Sequence, residues 1–385
     1  MSQQSARPKI WANLLQEVVR TDLCVSCGTC SAVCPVASIV MIEDKPNLVS
    51  VCIACGMCYN NCPRTNFSEA EAEERFFGRC RGDNEERYLG VYKACYSARS
   101  KDEAVLSRCQ DGGTVTSIAM QFMKDDPEAH VISAGLPTSY QPLGIEVDEA
   151  GICTIAVGSE ADWHPKPVVA TSVEDLLKCA GTKYTPSQNM LGLHSAVWEY
   201  RKRRVILIGT PCQMRAWRRT ITPPFSDIRL GGKVNLAMGL FCMESFDYKS
   251  LMEHLQKEGV DLSKVKRFEI SGGRFQVLDE GKQVLFKAAI RKMANFVRPC
   301  CHYCTDFSSE FADISIGSVG SPEGWNTVIV RTERGQKALD GASKAGILEV
   351  KPLEGGKTGL DAVVKLAGEK KEKAEKMMAT PKKTA

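Results

Sequence analysis

The sequence predicts an α+β protein in which a small cysteine-rich module precedes a larger α/β domain. Two observations lead to this prediction. Cysteines recur in the first 63 residues at a fixed spacing that is repeated after 28 residues, which is typical of an internally duplicated module. Beyond Tyr88 short β-rich runs alternate with helical ones, which favours an α/β architecture.

The composition indicates the cellular compartment and excludes some classes of binding partner. The chain has 385 residues, 18 cysteines and a net charge of +4. Its start does not have the basic and apolar pattern of a secretory leader, so we expect a reducing compartment, where close cysteines are metal or redox ligands. No run approaches the about 18 apolar residues of a membrane helix, and the small charge does not indicate nucleic-acid binding. We expect a cytoplasmic protein, or one held peripherally at a membrane by a partner complex.

Apolar periodicity predicts individual elements. The spacing from Trp11 to Val19 predicts an amphipathic helix, Val205 to Ile208 a buried strand, and the region around Met252 to Leu255 a helix. From Gly368 onward the Lys/Glu-rich sequence predicts a helix end or a disordered tail. We expect four segments: the cysteine-rich module (1–70), a connector (71–87), the main domain (88–367) and the tail (368–385).

Each cysteine repeat has the pattern C-x-x-C-x-x-C-x-x-x-C-P, which is the spacing of bacterial ferredoxins with two 4Fe-4S clusters. The fourth cysteine of each repeat ligates the other cluster, so ligation crosses over. Gly28 and Gly56 let the loop backbone approach the cluster and donate N–H groups to sulfide. A zinc site is the alternative, but zinc needs four ligands and no duplicated pattern. The predicted ligands are Cys24, Cys27, Cys30 and Cys62 for one cluster, and Cys52, Cys55, Cys58 and Cys34 for the other.

A third group of cysteines lies in the main domain. Cys212 begins a helix after a β-rich run, where the helix dipole favours a thiolate. Cys242 ends an apolar strand, and Cys301 and Cys304 form a short C-x-x-C. On spacing alone a third cluster, buried structural cysteines and a zinc site that includes His302 all remain open. The cysteines without ligand-like spacing are predicted to be structural: Cys80, Cys95, Cys109, Cys153 and Cys179.

Around these cysteines the sequence resembles the family of coenzyme F420 hydrogenase/dehydrogenase β subunits, over roughly residues 88–345. The resemblance rests on an ordered set of motifs: Gln110-Asp-Gly-Gly-Thr114, Gly181-Thr-Lys-Tyr184, Gly209-Thr-Pro-Cys-Gln213, Gly239-Leu-Phe-Cys-Met-Glu244, and Cys301-His-Tyr-Cys-Thr-Asp306 through Ala312-Asp-Ile-Ser-Ile-Gly317.

The resemblance implies a flavoprotein core that holds FAD beside one 4Fe-4S cluster and exchanges hydride with coenzyme F420. It implies Cys212, Cys242, Cys301 and Cys304 as ligands of that third cluster, with Cys300 as an open alternative to Cys301. The N-terminal two-cluster extension is similar to that of the input subunits of F420H2 dehydrogenase complexes, which deliver electrons to a quinone or methanophenazine.

FAD carries a pyrophosphate, which a glycine turn at a helix start can bind through its backbone. The turn before the helix that begins near Thr114 is such a site, although an ordinary glycine turn that caps a helix has the same sequence. The pattern G-x-G-x-x-G is absent, which disfavours a Rossmann NAD domain. The residues predicted to contact FAD are Gly112, Gly113, Thr114, Lys183, Tyr184 and Thr210.

The expected route runs from reduced coenzyme F420 to FAD, then through the core cluster and the two N-terminal clusters to a partner subunit, expected in a membrane-bound quinone or methanophenazine reductase complex. Arg201 to Arg204 and the trio Arg215, Arg218 and Arg219 are candidate anchors for the anionic tail of the coenzyme. Two alternatives are an electron relay without a substrate and a ferredoxin-dependent reductase of another substrate with the opposite flow. The sequence leaves the direction open, because surrounding hydrogen bonds set the potentials.

Overall fold

The chain folds into an N-terminal cysteine-rich module and an α/β domain built on an eight-stranded sheet. This computed structural model describes residues 8–135, 163–355 and 358–379, together with the backbone of 145–147 and 153–155. Within these ranges no helix has the length and apolar character needed to cross a membrane. The predicted fold class is confirmed.

The N-terminal module packs a helix against the cysteine loops. α1 (Trp11–Leu14) continues directly as a π-helical turn over Leu15–Val19. The predicted amphipathic helix is therefore confirmed in position, with a wider second half. Its apolar face, with Trp11 and Leu14, packs on Tyr59. The remaining elements of the module are α2 (Thr29–Ala32), an antiparallel pair β1 (Ile39–Ile42) and β2 (Lys45–Leu48), and α3 (Met57–Asn60).

The predicted connector is largely helical. It contains α4 (Glu69–Phe77) and α5 (Glu86–Leu89). Between them Arg81 forms ion pairs with Glu73 at 2.5 Å and with Glu310 of the main domain at 2.6 Å. Glu73 and Glu310 are almost fully buried. The connector is thus joined to the main domain by buried charges.

The central sheet combines parallel and antiparallel strands. Four parallel neighbours occupy its middle, and antiparallel strands flank them, in the order β15-β3-β14-β13-β9-β8-β4-β7. The strands of the main domain are β3 (Ala94–Ser100), β4 (Ala129–Gly135), β5 (Ile145–Val147), β6 (Cys153–Ile155), β7 (Lys166–Ala170), β8 (Arg204–Gly209), β9 (Val234–Leu240), β10 (Arg267–Ser271), β11 (Arg274–Leu278), β12 (Val284–Ala289), β13 (Ile314–Gly317), β14 (Asn326–Val330) and β15 (Leu348–Pro352).

Helices cover both faces of this sheet, which explains why its middle strands are continuously apolar. Ile118 and Leu339 pack on one face, Leu193 and Trp217 on the other. The predicted strand at Val205 to Ile208 is confirmed as β8. The helices are α6 (Glu103–Leu106), α7 (Thr114–Asp125), α8 (Val173–Lys178), α9 (Asn189–Trp198), α10 (Pro211–Thr220), α11 (Ile228–Gly231), α12 (Tyr248–Lys257), α13 (Glu333–Lys344) and α14 (Leu360–Ala379), with 3-10 turns at Leu262–Lys264, Ile290–Phe296 and Pro299–Tyr303.

A second, smaller sheet of three antiparallel strands, β10-β11-β12, forms its own aromatic core. Phe268 and Phe275 of this sheet pack with Phe246 and with residues of α12 such as Leu251. α12 covers the helix predicted around Met252 to Leu255.

The C-terminal helix differs from the expected division of the chain. α14 runs without a break through position 368, where a tail was expected to begin. Val363, Ala367 and Ala374 are fully buried on one face, and Lys370 lies buried on the same face. Of the two predictions for this segment, a helix end or a disordered tail, the helix is confirmed as far as Ala379. Residues 380–385 lie outside the described residues.

The middle of the sheet should dominate stability. Val205→Ala removes buried methyl groups from β8, so the free energy of unfolding should fall by about 2 kcal/mol. Val284→Ala is the matched control in β12, because that side chain is 46% exposed, and its effect should stay below about 0.5 kcal/mol. Anaerobic denaturant unfolding measures both variants, and equal effects would contradict the burial argument.

Candidate functional site

Three cysteines of the first repeat meet one cysteine of the second. Burial, then the Cys62 thiol, raises the pKa of Cys27, and burial raises the pKa of Cys62 to about 12 with a contribution from Cys24. Burial and then its neighbours Cys24, Cys27 and Cys62 raise the pKa of Cys30 well above its usual value. Such thiols ionise and act as ligands when a cationic centre compensates their charge. This is the crossed set predicted for one cluster.

The other crossed set surrounds a cavity. Burial, followed by the thiols of Cys52, Cys55 and Cys34, raises the pKa of Cys58 to about 12. The same four cysteines line a small pocket, walled by apolar residues that include Trp11. Cys52 and Cys55 are exposed to solvent. The donor set fits a cluster whose outer side borders water.

The two cysteine loops share one backbone geometry. Gly28 and Gly56 adopt left-handed conformations, with φ of 81° and 78°, where each begins a short helix. Ser26 and Ala54, two residues earlier, are left-handed as well. A Cβ on Gly28 would lie 2.9 Å from Leu191. The left-handed backbone and tight packing account for glycine here, and donation of N–H groups to sulfide remains a prediction.

The four core cysteines come together from three separate segments. Cys212 lies at the start of α10, Cys242 follows β9, and Cys301 and Cys304 lie in or beside the 3-10 turn at Pro299–Tyr303. Burial, and then the thiols of Cys301, Cys212 and Cys304, raises the pKa of Cys242. Burial also raises the pKa of Cys212 to about 11. Burial thus outweighs the helix start, which was expected to favour a thiolate.

Cys300 and Cys301 have different surroundings. The backbone N–H of Ser245 donates to Cys301 Sγ at 3.4 Å, and Cys301 acts on both Cys212 and Cys242. Cys300 is 2% exposed, and a hydrogen bond with the Cys301 thiol lowers its pKa. Cys212 acts on the Cys300 thiol as well, so the choice of Cys301 over Cys300 stays a prediction.

A site for a single metal ion needs a different arrangement of ligands from a 4Fe-4S cluster. In the ranges that the structure describes, no group of three or more His, Cys, Asp or Glu side chains is placed to hold one metal ion. A 4Fe-4S centre places an inorganic core between its four sulfurs, so the thiols that hold it do not meet at a point.

Two arginines join the core group to the N-terminal module. Arg298 donates to the carbonyl oxygens of Cys24 and Val25, at 3.1 and 3.2 Å, and to Ser26 Oγ at 2.6 Å. Arg64, two residues after Cys62, donates to the carbonyl oxygen of Tyr303 at 3.1 Å. The loop that carries Cys301 and Cys304 is therefore bonded to both segments that supply the first crossed set.

The predicted FAD-binding turn lies at the end of the sheet where the parallel strands terminate, the usual position of ligands in α/β folds. Gly112 is packed closely, because a Cβ there would lie 2.8 Å from both Ala98 O and Asn326 N. The backbone N–H of Thr114 donates to Asn326 Oδ1 at 3.1 Å, and its hydroxyl donates to Ala98 O. Packing within the chain explains these residues, as does the left-handed Gly113, so their contact with a phosphate remains a prediction.

The other predicted FAD contacts are engaged within the protein. The Lys183 ammonium donates to the carbonyl oxygens of Cys179, Ala180 and Gly181, which uses all three of its donors. Burial lowers the pKa of Lys183 to about 8. The Tyr184 hydroxyl accepts from Gln110 and from the backbone of Ile270. The Thr210 hydroxyl lies 3.1 Å from Cys212 Sγ. Their roles at a flavin stay predictions.

The arginines proposed as coenzyme anchors are used elsewhere. Arg218 is fully buried, with its guanidinium donating to Phe311 O and pairing with Asp313. Arg215 pairs with Glu69 at 2.6 Å, Arg219 donates to Asn66 O, and Arg204 pairs with Asp126. Arg215 and Arg218 have carboxylate partners within the chain and Arg219 a backbone carbonyl partner, so the anchor role of this trio stays a prediction.

The cysteines predicted to be structural have varied surroundings. Cys179 packs in the sheet core and Cys109 is buried, whereas Cys95 is half-buried and Cys80 is exposed. The side chain of Cys153 lies outside the described residues.

The sequence reasoning missed Lys370, whose ammonium donates to Cys242 O at 2.5 Å and to Asp306 O at 2.7 Å. A signal was present, since Lys370 shares the helical spacing of Val363, Ala367 and Ala374. The bridging roles of Arg298 and Arg64 left no comparable pattern.

Comparison with family models identifies three regions. Residues 17–63 match a 4Fe-4S dicluster domain. Residues 149–194 match the N-terminal part, and residues 202–355 the C-terminal part, of the coenzyme F420 hydrogenase/dehydrogenase β subunit.

Similar proteins extend over most of the chain. The β subunit of coenzyme F420 hydrogenase in Methanothermobacter thermautotrophicus is 37% identical over 76% of this chain and 96% of its own length. One of the subunits of the F420H2 dehydrogenase in Methanosarcina mazei is 31% identical over 91% of this chain and 90% of its own length. A chain in the solved F420-reducing [NiFe] hydrogenase complex of Methanosarcina barkeri aligns with a TM-score of 0.64 at 38% identity, covering 75% of this chain and 92% of that one. The chain therefore belongs to the family of coenzyme F420 hydrogenase/dehydrogenase β subunits and carries an N-terminal 4Fe-4S dicluster domain.

Proposed function

We propose that this protein oxidises reduced coenzyme F420 by hydride transfer to FAD and passes single electrons through three 4Fe-4S clusters to an electron-accepting partner. One observation carries the proposal. The core cysteine group is hydrogen-bonded, through Arg298 and Arg64, to the loops that supply the first crossed set of the N-terminal module.

The proposed cofactors divide the chemistry. FAD accepts a hydride and releases its electrons one at a time, which suits it to stand between a deazaflavin and one-electron clusters. The chain's own part is to position these centres and exclude water around them. The proposed FAD site lies at the ends of the parallel strands and comprises Gly112, Gly113, Thr114, Lys183, Tyr184 and Thr210.

The ligand sets give the route an order. The proposed core ligands Cys212, Cys242, Cys301 and Cys304 adjoin the set of Cys24, Cys27, Cys30 and Cys62, and these adjoin the set of Cys34, Cys52, Cys55 and Cys58. In the last set Cys52 and Cys55 are exposed, so electrons leave there.

The surroundings of that exit suit a protein partner. Val51 is 78% and Ile53 56% exposed beside these cysteines. We propose that the acceptor belongs to a membrane-bound quinone or methanophenazine reductase complex, to which this cytoplasmic chain binds peripherally.

A direct test is anaerobic purification with iron, sulfide and flavin analysis, followed by addition of reduced coenzyme F420. We expect about twelve irons for three cubanes, one FAD, and rapid bleaching of flavin and cluster absorbance. About eight irons without flavin would leave an electron relay. Full cofactors without bleaching would instead indicate a reductase of another substrate on the same scaffold.

The core ligand set makes a separate prediction. Cys242→Ala and Cys301→Ala should each lower the iron content from about twelve to about eight per chain, because the core cluster loses a thiolate. Cys300→Ala is the neighbouring control and Cys95→Ala the distant one, and both should keep the full iron content. Iron loss in Cys300→Ala but not in Cys301→Ala would reverse the assignment of the fourth ligand.

Arg298 should govern transfer between the two parts of the chain. Arg298→Met removes hydrogen bonds from a charged donor, each worth about 1.5–3 kcal/mol, and thus loosens the packing of the Cys24 loop on the core. After mixing with reduced coenzyme F420, flavin bleaching should keep its rate, while reduction of the N-terminal clusters slows about tenfold or more. Rapid-freeze electron paramagnetic resonance follows the clusters. Arg291→Met, at an exposed position, is the control, and equal rates in both variants would refute the bridging role.

A further inference from the structure

A single buried cation reaches the core cysteine group from the C-terminal helix. Lys370 of α14 is 6% exposed and lies on the helix face that carries the fully buried Val363, Ala367 and Ala374. A lysine at such a position loses the hydration of its ammonium, which is costly unless the charge is compensated. Lys370 therefore needs partners at its buried end.

Its hydrogen bonds end on two ligand-bearing loops. Lys370 Nζ donates to the carbonyl oxygen of Cys242 at 2.5 Å and to that of Asp306 at 2.7 Å. Asp306 follows Cys304 by two residues, and the Cys304 thiol lies 3.5 Å from the same Asp306 oxygen. One ammonium thus connects the loop of Cys242 with the loop of Cys301 and Cys304.

The ammonium also lies beside the core cysteine group. Its two hydrogen bonds end on Cys242 and on Asp306, two residues after Cys304, so a positive charge borders both loops that carry Cys242, Cys301 and Cys304. The match to the β-subunit model ends at residue 355, so the helix that supplies the cation lies outside the matched region.

We propose that Lys370 is a positioning residue for the core cluster, whose fixed positive charge raises the reduction potential of that cluster and whose hydrogen bonds hold two ligand loops together. This inference rests on the proposed function, because it requires a cluster at the core cysteines.

The sign follows from charge. Four thiolates give the centre a net negative charge, and reduction adds one further electron. A cation in a poorly hydrated site stabilises the reduced form more than the oxidised form. Removal of the cation should lower the potential, as cluster potentials depend on net charge and nearby hydrogen bonds.

The test is a potentiometric titration of the full-length protein, monitored by electron paramagnetic resonance, in which the two N-terminal clusters serve as internal references. In Lys370→Met the midpoint of the core cluster should fall by at least 59 mV, which corresponds to about a tenfold change in the one-electron equilibrium constant. Lys373→Met is the matched control, because Lys373 lies on the same helix but is exposed, and it should leave all three midpoints unchanged.

A second variant covers loss of the cluster. Lys370→Gln removes the charge but keeps an N–H donor, and its core midpoint should fall as well. If Lys370→Met releases four irons while the N-terminal signals persist, the core midpoint of Lys370→Gln decides whether the charge sets the potential.

An unchanged core midpoint in a charge-free variant that retains about twelve irons would overturn the inference and leave the proposed function intact. A wild-type protein with about eight irons and no third signal would instead refute the cofactor set of the proposed function.

Discussion

Twelve cysteine thiols gathered into three groups constrain the rest of this structure. Two groups are buried or half-buried, and the third has two exposed members. Burial raises the pKa of Cys27, Cys62 and Cys242, and neighbouring thiols raise it further. Forming thiolates in these groups therefore costs free energy unless positive charge lies nearby. Cations of the chain lie beside two of these groups. Arg298 acts on Cys24, and Lys370 acts on Cys242.

These cations also determine how the parts of the chain are joined. The guanidinium of Arg298 binds the Cys24 loop from the segment that precedes Cys301, and Arg64 of the module donates to Tyr303 O between Cys301 and Cys304. Because the same groups bridge the domains and lie beside the thiols, docking of the module and electrostatics of the centres are coupled. The outer group differs, since Cys52 and Cys55 border water, and water can stabilise added charge there.

The sequence could predict what depends on local pattern. Duplicated cysteine spacing predicted the crossed sets, and apolar periodicity predicted β8 and α12, because strand and helix periods leave a direct trace in the sequence. Long-range polar contacts leave no such trace. Nothing adjacent to Arg218 indicates that Asp313 lies beside it, and the arginine-rich segment therefore suggested a ligand site where the fold has a buried ion pair.

Lys370 is an intermediate case between these two. Its helical spacing with Val363 and Ala367 placed it on a buried face, but a Lys/Glu-rich composition favoured a solvated tail, and composition averages over faces. The fold decided the matter, because α14 packs where the loops of Cys242 and Asp306 present carbonyl oxygens to the Lys370 ammonium. The helix face on which a charged residue lies thus predicts its burial better than the composition of the neighbouring sequence does. In this chain that face leads to the core cysteine group, and a buried lysine is tolerated where negative charge is concentrated.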